Sequence, residues 1–189
     1  MSIIMAVGNK HHLILASDGR VSDTDANGDH IILDENFKKI FRLSSSVYVL
    51  VAGNRNQCMQ IVHILQYNVV ASTMPQLCIE AICDIFQNHM IATANELNVR
   101  LIVAGINFLH ERELYLFSAD RDCIHKEKIW LNDVVSYVAK GDIQEGETDY
   151  FSPILNENSR DMKTNMKLCI AEAAKRNKSV NDVVFFEEL

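Results

Sequence analysis

The chain has 189 residues, 48% of them hydrophobic, which is enough for one substantial core and excludes a disordered polymer. With 25 acidic and 18 basic residues its formal charge is −7 and no basic run occurs, so a phosphate-tracking nucleic-acid surface is not expected. No apolar stretch reaches the roughly 18 residues of a membrane span and no leader pattern opens the chain, so the expectation is one cytoplasmic domain over residues 1–189 that meets neither nucleic acid nor membrane.

In chain order, Ser2 to Gly8 and the run around Leu13 to Asp18 are short and apolar, flanking Gly8-Asn9-Lys10-His11, which predicts a hairpin of buried strands. The segment from Val21 to His30 is polar and reads as a turn-rich connection. From Asn36 to Gly53 strand-like runs flank Ser44-Ser45-Ser46, bringing the early strands to about four. Beyond Asn54 the period lengthens. Cys58, Ile61, Val62, Leu65 and Val69 predict a helix over 56–70, and Leu77, Ile79, Ile82, Ile85, Phe86 and Met90 a second over 76–95, after the break at Thr73-Met74-Pro75. Strand signals return in Val99–Phe108 and Glu111–Asp120, paired around Leu109-His110, and again from Cys123 and from Val134. A helix over 160–176 and a final strand from Asp182 close the chain.

Five cysteines (Cys58, Cys78, Cys83, Cys123 and Cys169) without a CxxC pair read as reduced core thiols. The seven histidines form no HExxH, and the adjacent His11 and His12 should point to opposite faces, so neither a metal nor any other cofactor is expected. Blocks of strands and helices, in place of strict alternation, predict an α+β layered fold, and no GxGxxG or GxxxxGK[ST] supports a nucleotide.

This order, together with "ILASDGRVS", "FKKIFRLSSSVYVLVAG" and "AAKRNKSVNDVVFF", resembles the proteasome β-subunit family of N-terminal-nucleophile hydrolases, most closely its small bacterial members. The resemblance covers nearly the whole chain and implies a four-layer αββα sandwich of two mainly antiparallel sheets flanked by helices. Asp18, followed two residues later by Arg20, stands sixteen residues after Ser2, the spacing that the family places between this pair and its nucleophile. By the same resemblance Ser2 is the nucleophile after removal of Met1, Asp18 and Lys39 tune its α-amine, the Gly53 N–H is an oxyanion donor, and Arg20 and Ser179 give support. The chemistry is coherent, because an α-amine with an ordinary pKa of about 7.7–8.0 can accept the hydroxyl proton without a separate histidine.

The chain also departs from the family pattern. An insertion near "DTDANGDH" leaves Lys38 as an alternative to Lys39. The late Gly-Ser-Gly-type turn reads "VAKGDIQEG", with Gly141 but no serine, and Asn177 and Val180 replace an aspartate and a glycine. Two functions therefore stand. One is an amide hydrolase, a peptidase, acting on a peptide or protein; the other is an inactive homologue serving assembly or partner binding. The resemblance further implies a homo-oligomeric ring or helical assembly and admits an ATPase unfoldase as partner.

Overall fold

The computed structural model describes residues 2–25, 27, 29–90, 97–120, 123–141 and 150–189. Strands β1 (Ile3–Gly8) and β2 (Leu13–Asp18) form the expected hairpin, and all twelve of their residues are buried. Asn9 closes the turn: its side-chain oxygen accepts from the N–H groups of His11 and His12, and its own N–H donates to the His12 carbonyl. The two histidines then diverge, His11 toward Asp133 and His12 toward Glu188. With β10 (Ser136–Gly141) beside β1 and β11 (Val184–Glu188) beside β2, the first sheet runs β10-β1-β2-β11, antiparallel throughout.

The second sheet is also antiparallel, in the order β5 (Ile40–Arg42), β6 (Val47–Gly53), β7 (Asn98–Ile106), β8 (Arg112–Asp120) and β9 (Cys123–Ile129). Its inner face meets the first sheet through Leu50, Ile102 and Leu116, packed with Ile4, Leu13 and Leu15. On the outer face lie α1 (Arg55–Tyr67) and α2 (Pro75–Ile85), whose Ile61, Leu65 and Ile82 pack on Val49, Val103 and Phe117. Opposite, α3 (Phe151–Leu155) and α4 (Met162–Arg176) press Phe151, Met166 and Ile170 onto Ile3, Met5 and Ala16. The layers are helix, sheet, sheet, helix.

This layering explains why β1 and β2 read as continuous apolar runs. Each faces apolar material on both sides, so alternation disappears, and a one-residue slip would turn Ala6 where Met5 now fills the helical side. Local signals set the helix starts. Asn54 caps α1 by accepting from the Gln57 N–H, Asp161 caps α4 through Thr164, and Pro75 opens α2 where no intrahelical N–H is required.

Several expectations change. The polar segment after Asp18 is a two-stranded ribbon, β3 (Val21–Thr24) paired with β4 (His30–Asp34), so six strands precede the first helix, where about four were expected. A bulge between Val21 and Ser22 interrupts its register. The first helix ends at Tyr67, and the second gives way after Ile85 to a π-helical turn at Phe86–Met90. The rest of the 76–95 expectation, residues 91–96, and positions 142–149 of the late turn lie outside the described residues. Not every thiol is core: Cys123 is exposed and Cys83 half-buried, while burial pushes the Cys78 and Cys169 thiols up to about 12. Among the described residues no helix is long and apolar enough to cross a membrane.

Candidate active site

Four strand ends meet at one end of the sandwich. Ser2 precedes β1, Asp18 is the last residue of β2, Lys39 precedes β5 and Gly53 is the last residue of β6. Ser2, Lys39 and Gly53 line a cleft of about 190 Å³, with Val21, Phe37 and Met59 among its walls. Among the described residues no group of three or more metal-ligating side chains occurs.

Asp18 is fully buried, and both of its carboxylate oxygens are bonded. Its Oδ1 accepts from the Lys39 Nζ at 2.5 Å and the Ile3 N–H at 2.9 Å, and its Oδ2 from the Arg20 N–H at 3.0 Å. The bond to Ile3 ties the carboxylate to the backbone immediately after Ser2. Lys39, only 2% exposed, has its ammonium held below the ordinary value of 10.5 by burial, against the opposing pull of the Asp18 carboxylate; the nearby Arg20 charge lowers it further. Of the two neighbouring lysines it is Lys39 that bonds Asp18, while Lys38 pairs with Glu187 on β11 at the surface.

Gly53 is shaped for close approach. Its φ is +103°, and a Cβ there would stand 2.3 Å from the Asn98 carbonyl oxygen, so both backbone conformation and space require glycine. Gly53 faces Val99 across the ladder, while the next N–H, that of Asn54, bonds the Asn98 carbonyl at 2.7 Å. In an antiparallel ladder this makes Gly53–Val99 the non-hydrogen-bonded pair, so the Gly53 N–H points away from β7. Two residues earlier along the same edge, the Val51 N–H donates to the Lys39 carbonyl at 3.0 Å. The Gly53 N–H is therefore the next donor on the edge that borders Lys39 and the cleft.

Gly141 backs Ser2 from β10. A Cβ at Gly141 would lie 2.0 Å from the Ser2 carbonyl oxygen, so the glycine permits the first strand to sit where it does.

The remaining expected residues are placed differently. The Arg20 backbone touches Asp18, but its guanidinium turns to Glu35, gripping that carboxylate through Nε at 3.0 Å and Nη2 at 2.9 Å, and donates from Nη1 to the Lys178 carbonyl at 2.6 Å. This pairing holds the Glu35 carboxyl below its ordinary range. The Ser179 hydroxyl bonds the His30 imidazole at 2.8 Å and is not in the cleft lining. Two partners had no visible signal in the sequence: Glu35, and the nearly buried Asn181, which bonds both Gly19 and Glu35.

The fold has a counterpart among known structures. No curated protein sequence matches the chain. Among solved structures, that of eukaryotic HslV from Trypanosoma brucei is similar over 99% of this chain and 98% of the other, with a TM-score of 0.68 and 14% identity, which establishes a common fold. A family model described as "Proteasome subunit" matches residues 2–184, and the chain belongs to the proteasome subunit family.

Proposed function

We propose that the chain is a proteasome-type amide-bond hydrolase, a peptidase, whose nucleophile is the Ser2 hydroxyl once Met1 has been removed. The free α-amine of Ser2 takes the hydroxyl proton as Oγ attacks the scissile carbonyl. The Gly53 N–H donates to the oxyanion, a contribution of about 2.7–4 kcal/mol for a donor of this kind. The amine returns its proton to the departing amine, leaving an ester on Ser2 that water cleaves. The Lys39 ammonium lowers the amine's pKa by charge repulsion, and Asp18 orients the lysine while fixing the backbone after Ser2. The observation that carries this reading is the buried Asp18–Lys39 pair, bonded to the Ile3 N–H and bordering a cleft that Ser2 and Gly53 share. Family membership supports the further reading that the protein works in the cytoplasm as a homo-oligomeric ring or helical assembly, with an ATPase unfoldase as the candidate partner.

The test is the intact mass of the natively expressed protein, with and without an electrophile that captures N-terminal nucleophiles. Loss of Met1 and one adduct that Ser2→Ala abolishes are expected. Retained Met1, or a free Ser2 that never reacts, would refute the hydrolase and leave a subunit that serves assembly.

A further inference from the structure

Asn181 makes three hydrogen bonds while only 5% exposed. Its Oδ1 accepts from the Gly19 N–H at 2.9 Å, and its Nδ2 donates to the Glu35 carbonyl at 2.8 Å and to the Glu35 carboxylate at 2.7 Å. Both amide hydrogens and the amide oxygen are thus engaged. A flipped amide would aim hydrogens at an N–H and oxygen at two oxygens, so only one orientation is compatible with its surroundings.

The groups that Asn181 joins carry the charged pair of the site. Gly19 lies between Asp18 and Arg20; its carbonyl accepts from the Phe37 N–H at 2.9 Å, and a Cβ on it would meet the Glu35 carbonyl oxygen at 2.8 Å. Glu35 stands four residues before Lys39 and is neutralised by the bidentate Arg20. The segment carrying the carboxylate and the segment carrying the ammonium are therefore clamped together by one side chain from a third, just before β11. Through the Gly19 N–H, Asn181 holds the Asp18–Gly19 peptide; the following peptide presents the Arg20 N–H that holds Asp18 Oδ2, while Oδ1 accepts from Ile3 and Lys39.

We infer that Asn181 is a positioning residue, acting through Glu35 and the Asp18–Gly19 peptide to hold Asp18 against Lys39. The catalytic consequence rests on the proposed hydrolase, whereas the positioning of the pair does not. A carboxylate in place of the Asn181 amide would face the Glu35 carboxylate across a hydrogen-bond distance and push the two segments apart. Changing Glu35 to Gln in the same chain supplies an amide that donates to the introduced carboxylate, with the side-chain bond made in the opposite sense and the Arg20 charge still matched.

The experiment follows the NMR titration of the Lys39 side chain and, in parallel, the rate of Ser2 capture by the electrophile at saturation across pH, in the unaltered protein, Asn181→Asp, and Asn181→Asp with Glu35→Gln. In Asn181→Asp, Lys39 loses its aligned carboxylate and titrates about one pH unit lower. Capture slows about tenfold, because the ammonium beside the Ser2 amine is no longer held in place. The double variant recovers part of both, because a carboxylate at 181 still cannot donate to the main-chain carbonyl of residue 35. A Lys39 titration that stays in place in folded Asn181→Asp, or a double variant no better than the single one, overturns the inference. If Ser2 is unreactive even in the unaltered protein while the Lys39 titration moves and recovers as stated, positioning stands and the hydrolase reading falls.

Discussion

The two ends of the sandwich treat charge in opposite ways. At the cleft end Asp18 and Lys39 are almost wholly withdrawn from water, and the carboxylate carries three hydrogen bonds. At the other end, where the β1–β2 turn bonds the β9–β10 connection through the Lys10 N–H and Asn132 carbonyl, Lys10 and His11 share Asp133 in open solvent. Large apolar side chains stand exposed there too, Phe108 beyond β7 and Trp130 beyond β9 among them. Similar ion-pair distances thus conceal different energetics. A desolvated charge is costly unless every partner is present, whereas an exposed pair contributes about 0–1 kcal/mol.

The sharpest way to break the contrast is to unpair the buried charge. Asp18→Asn leaves the Lys39 ammonium without its counter-charge and should cost about 3–5 kcal/mol in urea unfolding; a loss below about 1 kcal/mol would mean that the pair is solvated after all. Next, Gly53→Ala forces a side chain into the +103° backbone and against the Asn98 carbonyl, and should slow electrophile capture by Ser2 about 100-fold. Unchanged capture would remove Gly53 from the reaction.

A smaller effect appears on titration. Because the folded protein holds Lys39 below 10.5, the unfolded chain binds more protons there at alkaline pH, so this residue's contribution makes stability rise as pH climbs from the lowered folded value toward 10.5. Lys39→Met should flatten that rise, and an unaltered pH profile would show that burial does not govern the lysine. The smallest effect belongs to the far end. Asp133→Asn should change unfolding free energy by no more than about 0.5 kcal/mol and leave Ser2 capture unaltered. A loss rivalling that of Asp18→Asn would erase the difference between the ends.

The elements that could be read from the sequence are those whose burial imposes a period. Cys58, Ile61, Val62 and Leu65 announce α1, and the unbroken apolar runs of β1 and β2 announce strands covered on both faces. The ribbon β3–β4 escaped because Ile31, Ile32 and Leu33 are consecutive and all exposed, so no face alternates. The five-residue α3 is too short to display a helical period. Within the site, Ser2 and Asp18 are visible through one spacing, and Lys39, with Lys38 as its alternative, and Gly53 only through the family resemblance; the structure brings Ser2, Lys39 and Gly53 to one cleft with Asp18 bonded beneath. Glu35 and Asn181 were not visible. Their connection spans 146 residues and consists of hydrogen bonds between polar side chains and backbone, which leave no periodic trace.

That span also sets the order in which the molecule can mature. Gly19 and Asn181 are 162 residues apart, and β11, which lies against β2 at the very position of Asp18, is the last of the described strands. Contacts so distant in sequence are slow to close and cannot form while their second half is still unsynthesised. A nascent chain therefore carries Asp18 and Lys39 long before they can be clamped, and the charged pair beside the cleft is secured only after Asn181 and β11 have docked.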